Sequence, residues 1–186
     1  PDIGAQSVVN GDDRYIIAVN TEKLAAVLRV DSDDRYVSVQ AGCTGIALDA
    51  HLSGHGYCLG HQPDSNEFST VGGWIATRAS GMKQARYGNI EDLLLSVRVL
   101  LPSGAIVDDT TSFPRTSTSF DLPSLLLGSE GMLGIILSAC FRIRPLPAVT
   151  VYGSFLFPSF GHGVTFLKAI AHETGAMPAS IRLVDN

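Results

Sequence analysis

Residues 61–81 read HQPDSNEFSTVGGWIATRASG, and how this stretch is interpreted decides the reading of the whole chain. Small hydroxyl residues and glycines crowd together here with almost no bulky aliphatic side chain. Ser69, Thr70, Gly72 and Gly73 would let backbone come within hydrogen-bond reach of a planar or phosphorylated ligand. A helix beginning near Gly73 would direct its unpaired N–H groups at an anion. The plainer alternative is a glycine-rich connection between two elements, and the residues alone leave both open.

A second glycine-rich stretch, GSEGMLGIILSACFRIRP at 128–145, runs straight into an apolar strand. A dinucleotide fingerprint follows a strand and opens a helix at the spacing G-x-G-x-x-G, so a Rossmann fold is a poor reading. Gly128, Gly131 and Gly134 fit instead a backbone lying flat against a ring system, or a tight loop. Outward from these stretches, periodicity predicts strands over 15–19 (YIIAV), 36–41 (YVSVQA), 92–101 and 133–143. Pro102-Ser103-Gly104-Ala105 predicts a hairpin into AIVDD. Helices are expected over 44–52, ending near Ser53-Gly54, and over 122–127, with a helical turn capped by Thr21 and running through Ala26. Pro145-Leu146-Pro147 breaks the pattern. Beyond it a strand (151–157), a helix (163–173, stopped by Gly175) and a strand (180–184) predict a β-α-β unit, half of a ferredoxin-like layer. A domain boundary is therefore expected near residue 146.

The chain has 186 residues, 45% of them hydrophobic and 17% charged, enough for one good core and part of a second domain. Acidic residues outnumber basic ones 18 to 13, for a net charge of −5; such a balance offers no basic footprint for nucleic acid or an anionic membrane. No apolar run reaches the ~18 residues that a spanning helix needs. The opening residues, PDIGAQSVVNGDD, have neither the charged start nor the apolar stretch of a signal peptide. The closing ones, SIRLVDN, carry no peroxisomal tripeptide.

Three cysteines, Cys43, Cys58 and Cys140, are an odd number and read as buried thiols in a reducing compartment. Cys140 falls inside the apolar strand, where a raised pKa would make it inert. Trp74 reads as core. His51, His55, Cys58 and His61 invite a zinc site, since histidines at i and i+4 share a helix face. Gly54 and Gly56 end that helix at His55, so no metal is expected.

Several motifs standing in one order carry more than any of them alone. HQPDS at 61–65, TRASG at 77–81, YGNIEDL at 87–93, GSEGMLGII at 128–136 and PASIRLVDN at 178–186 resemble the vanillyl-alcohol-oxidase-type flavoproteins, whose cofactor is FAD. Within these the chain is similar to the alkyldihydroxyacetonephosphate synthases (alkylglycerone-phosphate synthases) of ether-lipid biosynthesis. The resemblance runs from about Tyr15 to the C-terminus. It implies an α+β fold: a PCMH-type FAD-binding domain over 1–146, then the start of a ferredoxin-like cap over 147–186. It implies FAD contacts from Asp64, Ser65, Asn66, Glu67, Phe68, Ser69 and Thr70, and from Thr77, Arg78, Ala79 and Ser80. A third set comprises Glu130, Gly131, Met132, Leu133, Gly134, Ile135 and Ile136, with Met132 where the family usually has Thr. His61 and Arg182 stand at positions needed for activity.

For Arg182, alternation along the strand alone allows an ion-paired surface arginine or a bidentate partner for a substrate phosphate; the resemblance favours the second. The family's phosphate loop, of the form PIGGGTS, is expected just before Tyr15, where Gly4-Ala5-Gln6-Ser7 stands as a missing or degraded version. Ala5 and Gln6 add Cβ atoms where pyrophosphate wants bare backbone. The chain is then a piece of a longer protein or a product that has lost function.

The implied reaction is the FAD-dependent transfer that exchanges the acyl chain of acyl-dihydroxyacetone phosphate for a long-chain fatty alcohol. Also implied are peroxisomal or glycosomal residence, peripheral membrane association of the full-length enzyme, and a homodimer. The alternatives are an FAD-linked 2-hydroxyacid dehydrogenase of the lactate or glycolate type, or a catalytically dead interaction module.

Overall fold

In the computed structural model, which describes residues 18–108, 117, 121–172 and 178–185, the sheet begins with a hairpin. β1 (Val27–Asp31) pairs antiparallel with β2 (Tyr36–Gln40). Asp31 holds the turn: its Oδ1 accepts from the N–H groups of Asp33 and Asp34. These backbone donors lower the Asp31 carboxyl pKa. The expected helical turn through Ala26 is absent. Leu24 N–H instead donates to the Thr21 carbonyl, and the chain passes into β1. Solvent-facing Leu28 and Arg29 break the alternation of this edge strand, and the turn-forming DSDDR at 31–35 was the signal that a hairpin preceded β2. Of the strand expected over 15–19, residues 15–17 lie outside the described residues, and 18 and 19 have no regular structure.

β4 (Leu94–Leu100), β5 (Ile106–Asp108) and β6 (Ile135–Arg142) complete a five-stranded antiparallel sheet of order β1-β2-β6-β4-β5. The strand expected over 92–101 starts later because α4 (Ile90–Leu93) takes its first residues. Asn89 and Asp92 form a capping box there, with Asn89 N–H donating to Asp92 Oδ2 at 2.8 Å. The hairpin after β4 closes as expected, Leu101 N–H donating to the Ala105 carbonyl. A short second sheet pairs β3 (Tyr57–Cys58) with β7 (Arg144–Pro145).

α1 (Gly45–Gly54) is capped by Thr44, whose hydroxyl accepts from Ala47 N–H, and buries Leu48 and Leu52 one turn apart. α2 (Val71–Ala76) is capped by Thr70 in the same way. α3 (Gln84–Tyr87) is a single turn, and α5 (Leu122–Leu126) starts at Asp121, which accepts from Ser124 N–H. Leu48, Leu52, Val71, Trp74, Ile75 and Leu126 from these helices meet Val37, Val39, Val97, Val99, Ala139 and Phe141 of the sheet in one core.

After Pro147 the expected helix forms as α6 (Phe160–His172), but neither flanking strand does. A strand exists only where a neighbour takes its N–H and C=O groups, and no described strand pairs with 151–157 or 180–184. Tyr152 and Leu156 are fully or almost fully exposed. Side chains of both flanks touch α6: Phe155 and Phe157 tilt against Phe166 at 5.1 and 5.2 Å, and Leu183 lies against Gly163. Among the described residues no helix is long and apolar enough to cross a membrane.

Candidate functional site

The turn after β3 carries His61 into the interior. At Gly60 (φ 82°) the Tyr87 ring occupies the space a Cβ would need, so only glycine brings the chain this close before it turns inward. His61 is 1% exposed, and the edge of Trp74 stands 5.0 Å from its ring. A Cβ on Gly81 would lie 3.0 Å from His61 Nδ1. Neither ring nitrogen has a hydrogen-bond partner among the described residues. Burial disfavours the imidazolium and, against a weaker pull from Glu91, lowers the His61 pKa to about 4. The ring is therefore a neutral imidazole at physiological pH.

The loop beyond His61 is tied to α1: Ile46 N–H donates to the Asn66 carbonyl and Gly45 N–H to that of Ser69. Asn66 Nδ2 donates to Asp49 Oδ2 at 3.2 Å, and burial raises the pKa of that aspartate. The N–H groups at the start of α2 do not point at a ligand, contrary to expectation. Val71 donates to Cys43, Gly72 to Ala41 and Gly73 to the Thr70 hydroxyl, so the anion reading of this turn is withdrawn. The second glycine-rich stretch docks on the far end of the same helix, Gly128 N–H on the Ile75 carbonyl and Glu130 N–H on that of Ala76. α2 thus joins all three segments expected to meet the cofactor.

Within those segments, Asp64, Ser65, Glu67, Thr77 and Ser80 are exposed, and Ala79 is half-buried. Phe68 and Met132 stand 77% and 82% exposed. Gly131 and Leu133 are exposed, Gly134 and Ile135 half-buried, and Ile136 belongs to the core. Arg78, at φ 50°, donates from Nε to Glu91 Oε1, whose Oε2 is buried without a partner. Glu91 was not anticipated; thirty residues separate it from His61, and only the fold relates them. Met82 N–H donates to the Gln62 carbonyl, and Arg182 Nη2 contacts Met82 Sδ. One methionine therefore stands between the residue after His61 and Arg182. Gly4-Ala5-Gln6-Ser7 lies outside the described residues.

His51 and His55 stack at 4.7 Å, with His55 Nδ1 bonded to the His51 carbonyl. Among the described residues no three His, Cys, Asp or Glu side chains are grouped to hold a metal. Cys43 is buried, and burial raises its pKa. Cys58 and Cys140 are only half-buried, against the expectation of core thiols; Cys58 Sγ donates to the Pro145 carbonyl.

The sequence profile of the FAD binding domain family matches residues 3–110. The chain belongs to that family, an α+β class of flavin-dependent proteins whose cofactor is FAD. Within it the chain is related to the alkyldihydroxyacetonephosphate synthases. It is 41% identical to that of Caenorhabditis elegans over 98% of this chain and 31% of the relative. It is 36% identical to that of Dictyostelium discoideum, over 98% and 29%. A solved structure of alkyldihydroxyacetonephosphate synthase superposes with a TM-score of 0.77 at 36% identity, covering 86% of this chain and 29% of the other. The chain thus spans less than a third of the length of these relatives.

The residues fit FAD. Ser69 Oγ accepts from Trp74 Nε1–H at 2.8 Å and Thr70 Oγ1 from Gly73 N–H, so each hydroxyl keeps its own proton for a ligand. His61 adds two unpartnered nitrogens, and Phe68 and Met132 offer exposed apolar surface from two of the three segments.

Proposed function

We propose that the chain is the flavin-holding part of an alkyldihydroxyacetonephosphate synthase, which exchanges the acyl chain of acyl-dihydroxyacetone phosphate for a long-chain fatty alcohol. The observation that carries the reading is that Met82 bonds through its N–H to Gln62, the residue after His61, and meets Arg182 through Sδ, although 121 positions separate His61 and Arg182 in sequence. FAD, when bound along 64–70, 77–80 and 130–136, supplies an electrophilic ring without net oxidation of the substrate.

The division of labour follows from charge. His61, neutral with a pKa of about 4, holds one proton and one lone pair for hydrogen bonding and brings no charge to the site. Arg182 supplies the permanent cation, and its planar fork suits a phosphate. Burial beside Trp74 keeps water from His61, which would strengthen a polar contact from the ring to a bound ligand.

On the same reading residues 1–146 form the FAD-binding domain and 147–186 open the cap. In support, Leu146 N–H still donates to Gly56 of the first domain, whereas Val149, Val151 and Tyr152 beyond it are exposed. Peroxisomal or glycosomal residence, dimerisation and peripheral membrane contact belong to this proposal too.

In the test, the FAD-loaded full-length synthase of which this chain is proposed to be a part receives acyl-dihydroxyacetone phosphate and a labelled fatty alcohol. The expected result is label in an ether product, release of fatty acid and no reduction of an added electron acceptor. Acceptor reduction driven by D-lactate, with no ether formed, would replace the proposal with a 2-hydroxyacid dehydrogenase.

A further inference from the structure

Away from α2, the backbone gathers three arginines at one corner. Arg35, at φ 54°, closes the turn between β1 and β2, and its carbonyl accepts from Ile143 N–H at 2.9 Å. The residue after Ile143 is Arg144, which pairs with Cys58 across the small sheet. Arg86 comes from α3. Together with Tyr87, Pro145 and Pro147 they line a cleft of about 290 Å³. The guanidinium carbons of Arg86 and Arg144 lie 5.9 and 5.8 Å from the centroid of the Tyr87 ring, close enough for that buried aromatic to orient both.

Among the described residues none of these three arginines is paired with a carboxylate; the ion pairs are Arg29–Asp31, Arg78–Glu91 and Arg98–Asp108. In a chain with 18 acidic and 13 basic residues, three arginines lining one cleft without an ion pair stand out. All three side chains are exposed, so water weakens their mutual repulsion and leaves their forks open to an incoming anion. Ligand pockets generally run from about 300 to 1,000 Å³, so the cleft suits a small headgroup. Arginine forks engage phosphate oxygens two at a time.

We propose that Arg35, Arg86 and Arg144 form a binding site for a phosphomonoester dianion, made of residues outside the flavin-holding segments and independent of the synthase reading. The chemistry is shared by a soluble metabolite phosphate and by a lipid with a phosphomonoester headgroup.

Calorimetric titration of the chain with glycerol 3-phosphate, and co-sedimentation with phosphatidic acid vesicles against phosphatidylcholine vesicles, separate the two sources. Binding in either arm that weakens with added salt, and falls at least tenfold in an Arg86→Gln/Arg144→Gln variant, supports the site; the arm that responds names the source. Circular dichroism establishes that the variant is folded. Arg35→Gln, on a different element, repeats the test should the double variant not fold. Binding in neither arm overturns the proposal, and so does affinity unchanged in the folded variants, which would move the phosphate to another part of the chain.

Discussion

His61 is a polar group whose protonation is governed by burial. Its pKa falls from 6.5 to about 4 in the folded protein, so between those values the unfolded chain binds the proton that the folded one refuses. Stability is then complete above pH 6.5 and declines as pH falls toward 4. The loss amounts to about 3 kcal/mol at 1.36 kcal/mol per pKa unit. Denaturant melts at pH 7 and pH 4.5 should show most of this loss, about 2.4 kcal/mol, for the native chain and a much smaller one for His61→Asn; parallel curves would dismiss burial as the cause. Arg182→Lys retains the charge and loses the fork. Under the proposed function it should cut turnover about tenfold, equivalent to ~1.4 kcal/mol, without moving the melting temperature. Only a resemblance tied His61 and Arg182 to one active site; the residues alone offered His61 as part of a zinc cluster and left Arg182 between a surface arginine and a phosphate partner. No composition or spacing rule marks a histidine as unpartnered, because that depends on Trp74, Gly81 and Glu91 arriving from elsewhere in the fold.

Among the elements, α2 shows local preference losing to packing. Two glycines in six residues cost about 1 kcal/mol each relative to alanine. Burial of Val71, Trp74 and Ile75 returns roughly 1.5–3 kcal/mol for each large side chain, so the helix forms. Removing its cap with Thr70→Ala should destabilise the protein by about 1 kcal/mol, measured by urea unfolding. A loss below about 0.3 kcal/mol would mean that the Gly73 hydrogen bond contributes little. At the centre of the sheet Phe141 is fully buried, and Phe141→Ala should cost about 3–5 kcal/mol by the same assay. β2, β6 and α1 were legible because an apolar period or a cap stood in consecutive residues. β1 was not, since an edge strand with Leu28 and Arg29 both in solvent carries no clean alternation. The strands expected over 151–157 and 180–184 had the right pattern and no neighbour to pair with, a condition the pattern itself does not contain.

At the scale of the molecule, the two ends of the described chain differ in how they meet water. The sheet and its helices bury their apolar faces, whereas Val149, Val151, Tyr152, Phe155 and Leu156 present theirs. Exposed apolar side chains gathered in one segment of the chain bind hydrophobic dyes and other proteins. The chain should therefore enhance the fluorescence of anilinonaphthalene sulfonate at neutral pH, and a Tyr152→Ser/Leu156→Ser variant should lose most of that signal while keeping its melting temperature. Dye binding equal in the variant would place the exposed surface elsewhere.

The strand order has a consequence in time. β6, the strand between β2 and β4, is the last of the five to be made. At about 5–20 residues per second, a ribosome that has finished Gln40 needs roughly 5–20 s to reach Ile135. Through that interval β2 has one long edge with no partner yet in existence. A growing chain of this protein therefore carries an open strand for seconds, long enough for a chaperone to find it and for a neighbouring nascent chain on the same message to pair with it first.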